Sequence, residues 1–257
     1  MSRSTDQRAR RLIRALAILL MVGGALAVAL PLGMRFWSYQ TANRVVDTLE
    51  RQRASTAATY RPVDYAALPT AQPVTYTEPE LAQAAASDGL LDEVDGFMET
   101  DTTVADVLQT MTAQDLDTAY VLEIPSIALK VAALRATSFE DVYHKMRLGA
   151  AFFPKAPPLD AVGNACICAH RTGARDFFRN LDDVATGDLI YLHSASRGSY
   201  CYEVQTVGVV QPDDWSVTDA TDEPVITLLS CQAYRGVSHG LRIRVRARLI
   251  SVSPLAP

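Results

Sequence analysis

The hydrophobic positions of the chain fall into three successive patterns. Residues 15–34, ALAILLMVGGALAVALPLGM, are apolar throughout, with no charge between Arg14 and Arg35. Residues 36–116 have a broken texture. FWSYQTANRVVDTLERQRA (36–54) has helical character, and Pro62, Pro69, Pro73 and Pro79 then mark an extended linker or a surface-hugging segment rather than a packed element. LAQAAASDGLLDEVDGFM and VADVLQTM read as short acidic amphipathic helices broken at Gly89 and Gly96. From Tyr120 onward the apolar residues come in short β-type runs: YVLEIPSIALKVAAL, NACICA, GDLIYLH, SYCYEVQTVGVV, PVITLLS and GLRIRVRARLIS. Many are rich in Val, Ile, Tyr and Thr, with turn signals between them. Strands this short and closely spaced, over about 130 residues, predict a mainly β barrel or sandwich. Pro125 inside the first run predicts a bulge or edge position there.

Charge sharpens the first two patterns. Arg3, Arg8, Arg10, Arg11 and Arg14 crowd the start of the chain, directly against the apolar run. Twenty apolar residues at ~1.5 Å each match a hydrocarbon core of ~30 Å. The flanking arginines favour a cytoplasmic N-terminus, with everything after residue 35 outside. A cleaved signal peptide is the rival reading, since Ala27-Val28-Ala29 offers a small-x-small site. The length of the run, Pro31 and the interfacial aromatics Trp37 and Tyr39 favour an anchor instead. The expected organisation is a basic tail (1–14), a transmembrane anchor (15–34), a helical or extended segment (35–117) and a β domain (118–257). Between Pro62 and Leu129 there are thirteen acids and no Lys or Arg. This reads as a solvated helix face, or as a lid complementary to the arginine-rich C-terminal strand. The dense basic cluster abuts a hydrophobic segment, so it is not a nucleic-acid footprint.

The candidate chemistry lies at strand ends. His170 ends NACICAH and is followed by a turn; Cys231 ends ITLLSC and is followed by a polar loop, QAYRGVSHG. In RIRVRAR the period of two puts Arg242, Arg244, Arg246 and Arg248 on one face and Ile243, Val245 and Ala247 on the other. A Cys, a His and an Arg on neighbouring strands make an acyl-transfer kit: a thiolate nucleophile, an imidazolium acid and fixed donors for an oxyanion. Each also has a bland reading as inert core thiol, structural histidine or solvated strand face. Cys166, Cys168 and His170 lie in a row on one strand and do not converge on a tetrahedral metal. Cys166, Cys168 and Cys201 read as small core hydrophobes, with a disulfide from Cys201 left open. His144, His193 and His239 read as surface or structural residues.

TLLSC (227–231) resembles the Thr-Leu-x-Thr-Cys signature of the sortases, with Ser230 in place of the second Thr. GNACICAHRTGARDFFRNLDDVATGDLIYL (163–192) is similar to that family's histidine region, and LEIPSIAL (122–129) to its opening strand. Arg242 falls where sortases place their catalytic arginine, and the order His, Cys, Arg is also the family's. The resemblance implies a sortase-type β-barrel of about eight strands with short helices. It also implies a membrane-anchored cysteine transpeptidase facing the outside of the cell, without cofactor or metal. On this resemblance Cys231 is the nucleophile, His170 the general acid/base, and Arg242 the binder of the oxyanion or substrate backbone, with Arg235 and Arg244 as alternates. Thr227, Ser230, His239 and Arg244 are further substrate-binding candidates. The implied partners are surface proteins or pilins bearing Leu-Pro-x-Thr-Gly-like sorting signals. The implied acceptor is an amine from a pilin lysine or a peptidoglycan precursor.

Features after the nucleophile (Tyr234, Ser238-His239) and Pro212-Asp213 lean towards the pilin-polymerising class C, and a class B-like anchoring enzyme remains open. Ser238-His239-Gly240 resembles part of the L,D-transpeptidase motif, but Leu241 stands where that motif has its Cys. A papain-like peptidase has Cys before His, the reverse of this chain. The non-enzymatic alternative is a membrane-tethered β-domain that binds surface proteins, with Cys231 silent.

Overall fold

The computed structural model describes residues 3–52, 60–84, 111–194, 196–234 and 237–254, with the side chains of 3–15 and 231–239 among those outside the description. The chain divides into two compact units, Met1–Trp37 and Ser38–Pro257. Helix α1 (Arg3–Gln52) supplies the first and continues into the second. Residues 16–30 of α1 are all exposed. Among the described residues no helix is long and apolar enough to cross a membrane. The described residues therefore do not support the expected span over 15–34.

The second unit is a closed, mixed β-barrel, as the pattern of short runs and the resemblance predicted. Its strands are β2 (Tyr120–Ile124), β3 (Leu129–Arg135), β4 (Ala150–Phe152), β5 (Gly163–Cys168), β6 (Leu189–Ser194), β7 (Gly198–Val210), β8 (Pro224–Tyr234) and β9 (Val237–Ser253). They run in the order β9-β7-β6-β2-β3-β4-β5-β8, and β8–β9 pairing closes the ring. The pairs β3–β4 and β5–β8 are parallel; the rest are antiparallel. A two-residue strand β1 (Arg61–Pro62) adds to β9.

Period-two patterning explains the barrel wall. In β9, Ile243, Val245, Ala247 and Leu249 are buried in the core, while Arg242, Arg244, Arg246 and Arg248 are half-buried on the other face. The core they enter holds Tyr120, Phe152, Phe178 and Tyr202, all nearly inaccessible. Helix α2 (Ala113–Thr118) starts at a Thr112–Asp115 capping box, and α3 (Phe139–Met146) at Ser138, whose hydroxyl accepts the Asp141 N–H. In α3, Phe139, Val142 and Met146 form the buried stripe.

Two expectations change. The run 120–134 is not one strand with a bulge: Pro125–Ile127 form a 3-10 turn, and Ala128 takes φ 51°, splitting it into the antiparallel pair β2–β3. Proline has no N–H for a ladder, so the chain turns there. The segment after Cys231 is not a loop throughout. Ala233 pairs with Ser238 and Tyr234 with Val237, so β8 and β9 continue as a hairpin beyond a bulge at Cys231/Ala233. Of the two readings of the proline-rich stretch, the structure gives a segment that hugs the barrel surface rather than a free linker. Val63 and Leu68 lie against the main core, and the Tyr65 hydroxyl donates to the Leu249 carbonyl. Tyr76 donates to the Pro154 carbonyl at 2.9 Å.

Within the same unit, Ala42, Val45, Val46 and Leu49 bury one face of α1; Val45, Val46 and Leu49 share a cluster with Val121, Ala132, Leu134 and Leu148. Of the acidic helices expected over 80–116, residues 85–110 lie outside the described residues, and with them that part of the expected lid. Arg235 lies outside them too.

Candidate active site

Strand register brings the three predicted residues to one end of the barrel. In the parallel pair β5–β8, Cys166 stands opposite Thr227 and Cys168 opposite Leu229. In β8–β9, Thr227 stands opposite Arg246, Leu229 opposite Arg244, and Cys231 opposite Arg242. His170 follows Cys168 by two residues, and the Ala169 N–H extends the ladder to the Leu229 carbonyl at 3.4 Å. The backbones of His170, Cys231 and Arg242 therefore share one level on three adjacent strands. Cys231 is described through its backbone alone.

A cavity of about 360 Å³ opens at this level, and His170, Ser230 and Arg242 line it. Arg244, one level down, is not among the described lining residues, which separates it from Arg242 where periodicity could not. The Arg242 guanidinium donates to the carbonyls of Gly240 (3.0 Å) and Leu241 (3.1 Å). Gly240 has φ +72°, a left-handed conformation that favours glycine at the approach to Arg242.

The rest of the wall holds four aromatic residues among aliphatic side chains and the polar Gln211, Asp213 and Asp214. Helix α3 contributes Phe139 and Tyr143, and the β7–β8 connection contributes Trp215 beside Phe153. Tyr143 meets His170 edge-to-face with ring centroids 6.4 Å apart, and Arg147 lies 5.5 Å from the same Tyr143 ring. Burial, and then the nearby Arg175 guanidinium, push the Arg147 pKa down. Ala84 reaches the cavity rim from the segment that precedes the barrel. Glu80 fastens that segment to Lys155; this hydrogen bond, followed by those from Thr77, holds the Glu80 carboxyl down at about 2. The sequence offered no signal for Tyr143 or Ala84; Trp215, next to Pro212-Asp213 in a turn-rich connection, was the legible one.

The two hydroxyls of TLLSC both make hydrogen bonds within the barrel. Thr227 is fully buried and donates to Asn164 Oδ1 at 2.7 Å. Asn164 Nδ2 in turn donates to the carbonyls of Val217 (2.8 Å) and Asp219 (3.1 Å). This chain of bonds sews the β7–β8 connection, which carries Trp215, onto β5 and β8. Ser230, also buried, donates to the Ala169 carbonyl at 2.9 Å and so ties the residue before Cys231 to the residue before His170. Ser230→Ala leaves that carbonyl without this donor and is expected to cost about 1–3 kcal/mol. Ser230→Thr keeps the hydroxyl and is expected to cost less, as read by denaturant unfolding. His239 lies in β9 just after the paired Ser238, and its side chain lies outside the described residues.

Cys166, Cys168 and Cys201 are free thiols, which answers the disulfide question left open above. Burial pushes the Cys166 pKa up to about 12 and also raises that of Cys201. Cys168 is half-buried and borders the cavity. At pH 8, native protein treated with iodoacetamide is expected to spare Cys166 and Cys201, and denatured protein to label all four cysteines; peptide mapping checks this. His144 is exposed, and His193 bonds to Ser199 Oγ at 2.9 Å and stacks on Tyr191, both away from the cavity.

The closed barrel thus brings the backbones of Cys231, His170 and Arg242 to one level on three adjacent strands, with His170 and Arg242 lining one cavity. The sortase domain model matches residues 122–250, half of the chain, and the protein belongs to the sortase family. Solved sortase structures are among those similar to this chain. Sortase A from Listeria monocytogenes is 21% identical with a TM-score of 0.47, over 55% of this chain and 92% of that one. Sortase E1 from Streptomyces coelicolor, solved with a tripeptide in its active site, is 20% identical with a TM-score of 0.47, over 56% and 94%. A Streptococcus pneumoniae sortase C, whose structure bears on pilin substrate specificity, is 22% identical with a TM-score of 0.46, over 70% and 94%. A search of the curated proteins returns no match.

Proposed function

We propose that this sortase is a cysteine transpeptidase that cuts a Leu-Pro-x-Thr-Gly-like sorting signal and joins the freed acyl group to an amine. The observation that carries the reading is the shared level of His170, Cys231 and Arg242 at one cavity. The Cys231 thiolate adds to the Thr carbonyl, and Arg242 donates to the oxyanion or to the substrate backbone. As the C–N bond breaks, the leaving amine takes a proton from His170, and a thioester remains on Cys231. An incoming amine then attacks the thioester carbonyl, gives its proton to His170 and releases the thiolate. The sequence needs no metal or organic cofactor. The aromatic wall of Phe139, Tyr143, Phe153 and Trp215 suits the apolar part of such a signal.

Anchorage in a membrane, with the catalytic unit outside, belongs to the same proposal. It is supported by the unbroken apolar sequence 15–34, by the arginines before it, and by the exposure of the described apolar side chains on α1. The acceptor is a pilin lysine or an amine of a peptidoglycan precursor, and an acceptor panel decides between pilus assembly and wall attachment. The test is to incubate the protein with a Leu-Pro-x-Thr-Gly peptide and each amine, and to follow the joined product by mass. Transfer to at least one amine is expected. Tight peptide binding with no cleavage across a wide panel would instead favour a tethered β-domain that binds surface proteins with Cys231 silent.

A further inference from the structure

We propose that Tyr39, on helix α1, is a positioning residue for His170, acting through the tripeptide Asp176-Phe177-Phe178. The proposal rests on His170 being the acid–base group of the function proposed above.

The three residues of the tripeptide face in two directions. On one side, the Tyr39 hydroxyl donates to Asp176 Oδ1 at 2.9 Å, and the Tyr39 ring meets Phe177 edge-to-face with centroids 5.6 Å apart. On the other side, the Phe178 N–H donates to the His170 carbonyl at 2.8 Å. The same short segment that α1 grips therefore grips the backbone of His170. The rest of the connection between His170 and Leu181 is closed on itself: Arg171 Nε donates to the Arg179 carbonyl at 3.1 Å, and Arg171 also pairs with Asp182.

Burial makes the Tyr39 contact more than decoration. Asp176 is 1% exposed, Phe177 is 4% exposed and Phe178 is inaccessible. A carboxylate so deeply buried needs donors, and Arg179 supplies one from within the loop at 2.8 Å. Tyr39 supplies one from outside it, 137 residues away in sequence. Loss of the hydroxyl weakens the hold on a buried carboxylate at the centre of the loop, and the bond from the Phe178 N–H passes a shift of the loop to the His170 backbone. His170 itself stands two residues past Cys168, the last paired residue of β5. Displacement of an acid–base group by a fraction of an ångström changes kcat, because proton transfer depends on geometry while the peptide is bound elsewhere in the cavity.

The experiment uses the full chain in detergent with a Leu-Pro-x-Thr-Gly peptide and a transferable amine. Tyr39→Phe, which keeps the ring and loses the hydroxyl, is expected to lower kcat on the order of tenfold, with little change in KM, and to shift the His-dependent limb of the kcat–pH profile. Asp176→Ala is expected to do the same, and the double variant Tyr39→Phe/Asp176→Ala is expected to be no slower than Asp176→Ala alone. Asp176→Asn retains an acceptor oxygen and is expected to recover most of the rate.

Wild-type kcat and an unshifted profile in Tyr39→Phe, with His170→Ala inactive, would overturn the clamp alone. Additive losses in the double variant would overturn it as well. Full rate in His170→Ala would remove the underlying reading and the clamp with it. Should Tyr39→Phe melt below the assay temperature, the contrast between Asp176→Asn and Asp176→Ala decides from the loop side: recovery by Asn supports the clamp, and equal losses contradict it.

Discussion

Cys231→Ala is expected to abolish acyl transfer, with a loss of at least ~10⁴-fold in kcat, while peptide still binds. The effect is large because no other described nucleophile stands at the level shared by His170 and Arg242. Ser230 commits its hydroxyl to the Ala169 carbonyl inside the core. Cys168 stands one level down, opposite Leu229, against Met146 and the Ala151 carbonyl. Without the thiol there is no thioester, so cleavage and transfer vanish together. Rates with and without an added amine, measured on the same peptide, check this, and a variant that loses transfer but keeps hydrolysis would contradict a shared thioester.

Arg242→Ala is expected to lower kcat by about 10²–10³-fold, the usual effect of removing one donor to a developing oxyanion. Arg242→Lys is expected to recover little. The guanidinium lines the cavity and spans the Gly240 and Leu241 carbonyls with one nitrogen of its planar fork. A lysine ammonium has no such fork. Arg244→Ala makes the control: it lies one level down in the register and is expected to change kcat far less. Steady-state kinetics of the three variants on one peptide check the ordering, and equal losses at 242 and 244 would place the oxyanion donor wrongly.

Much of this site was legible because β-structure has a period of two. The alternation in RIRVRAR fixed which residues of β9 enter the core, and Ile243, Val245 and Ala247 are buried there. The strand ends at His170 and Cys231 could be read from apolar runs stopping at polar turns. Parity alone could not choose between Arg242 and Arg244, since both share a face; the register Cys231↔Arg242 and the cavity lining do. Nor could it show that Thr227 faces Asn164 rather than substrate, because the covering element is a connection more than fifty residues from Asn164.

Other features hid for local reasons. Pro125 was visible as a ladder-breaker, but whether a chain bulges or turns back at a proline depends on the neighbouring strand it finds. The residues after Cys231 looked like loop because they are polar and flanked by glycine, yet Ala233-Tyr234 and Val237-Ser238 pair well enough to extend the hairpin. The prolines at 62–79 left a linker and a surface-hugging segment both open, and Leu68 with the aromatics Tyr65 and Tyr76 supplies the anchors that hold it to the barrel. The Tyr39–Asp176 contact lay beyond any sequence argument: neither residue belongs to a periodic pattern, and only the packing of α1 brings them together.

The central claim is that Cys231 forms a thioester with the acyl half of a sorting signal. Protein mixed with a Leu-Pro-x-Thr-Gly peptide, quenched in acid and analysed by intact mass and peptide mapping, tests it directly. The account predicts an added mass equal to the peptide up to its Thr, located on Cys231, sensitive to hydroxylamine and absent in Cys231→Ala. An adduct on Cys168 instead, or cleaved peptide with no adduct on Cys231 at any quench time, would contradict it.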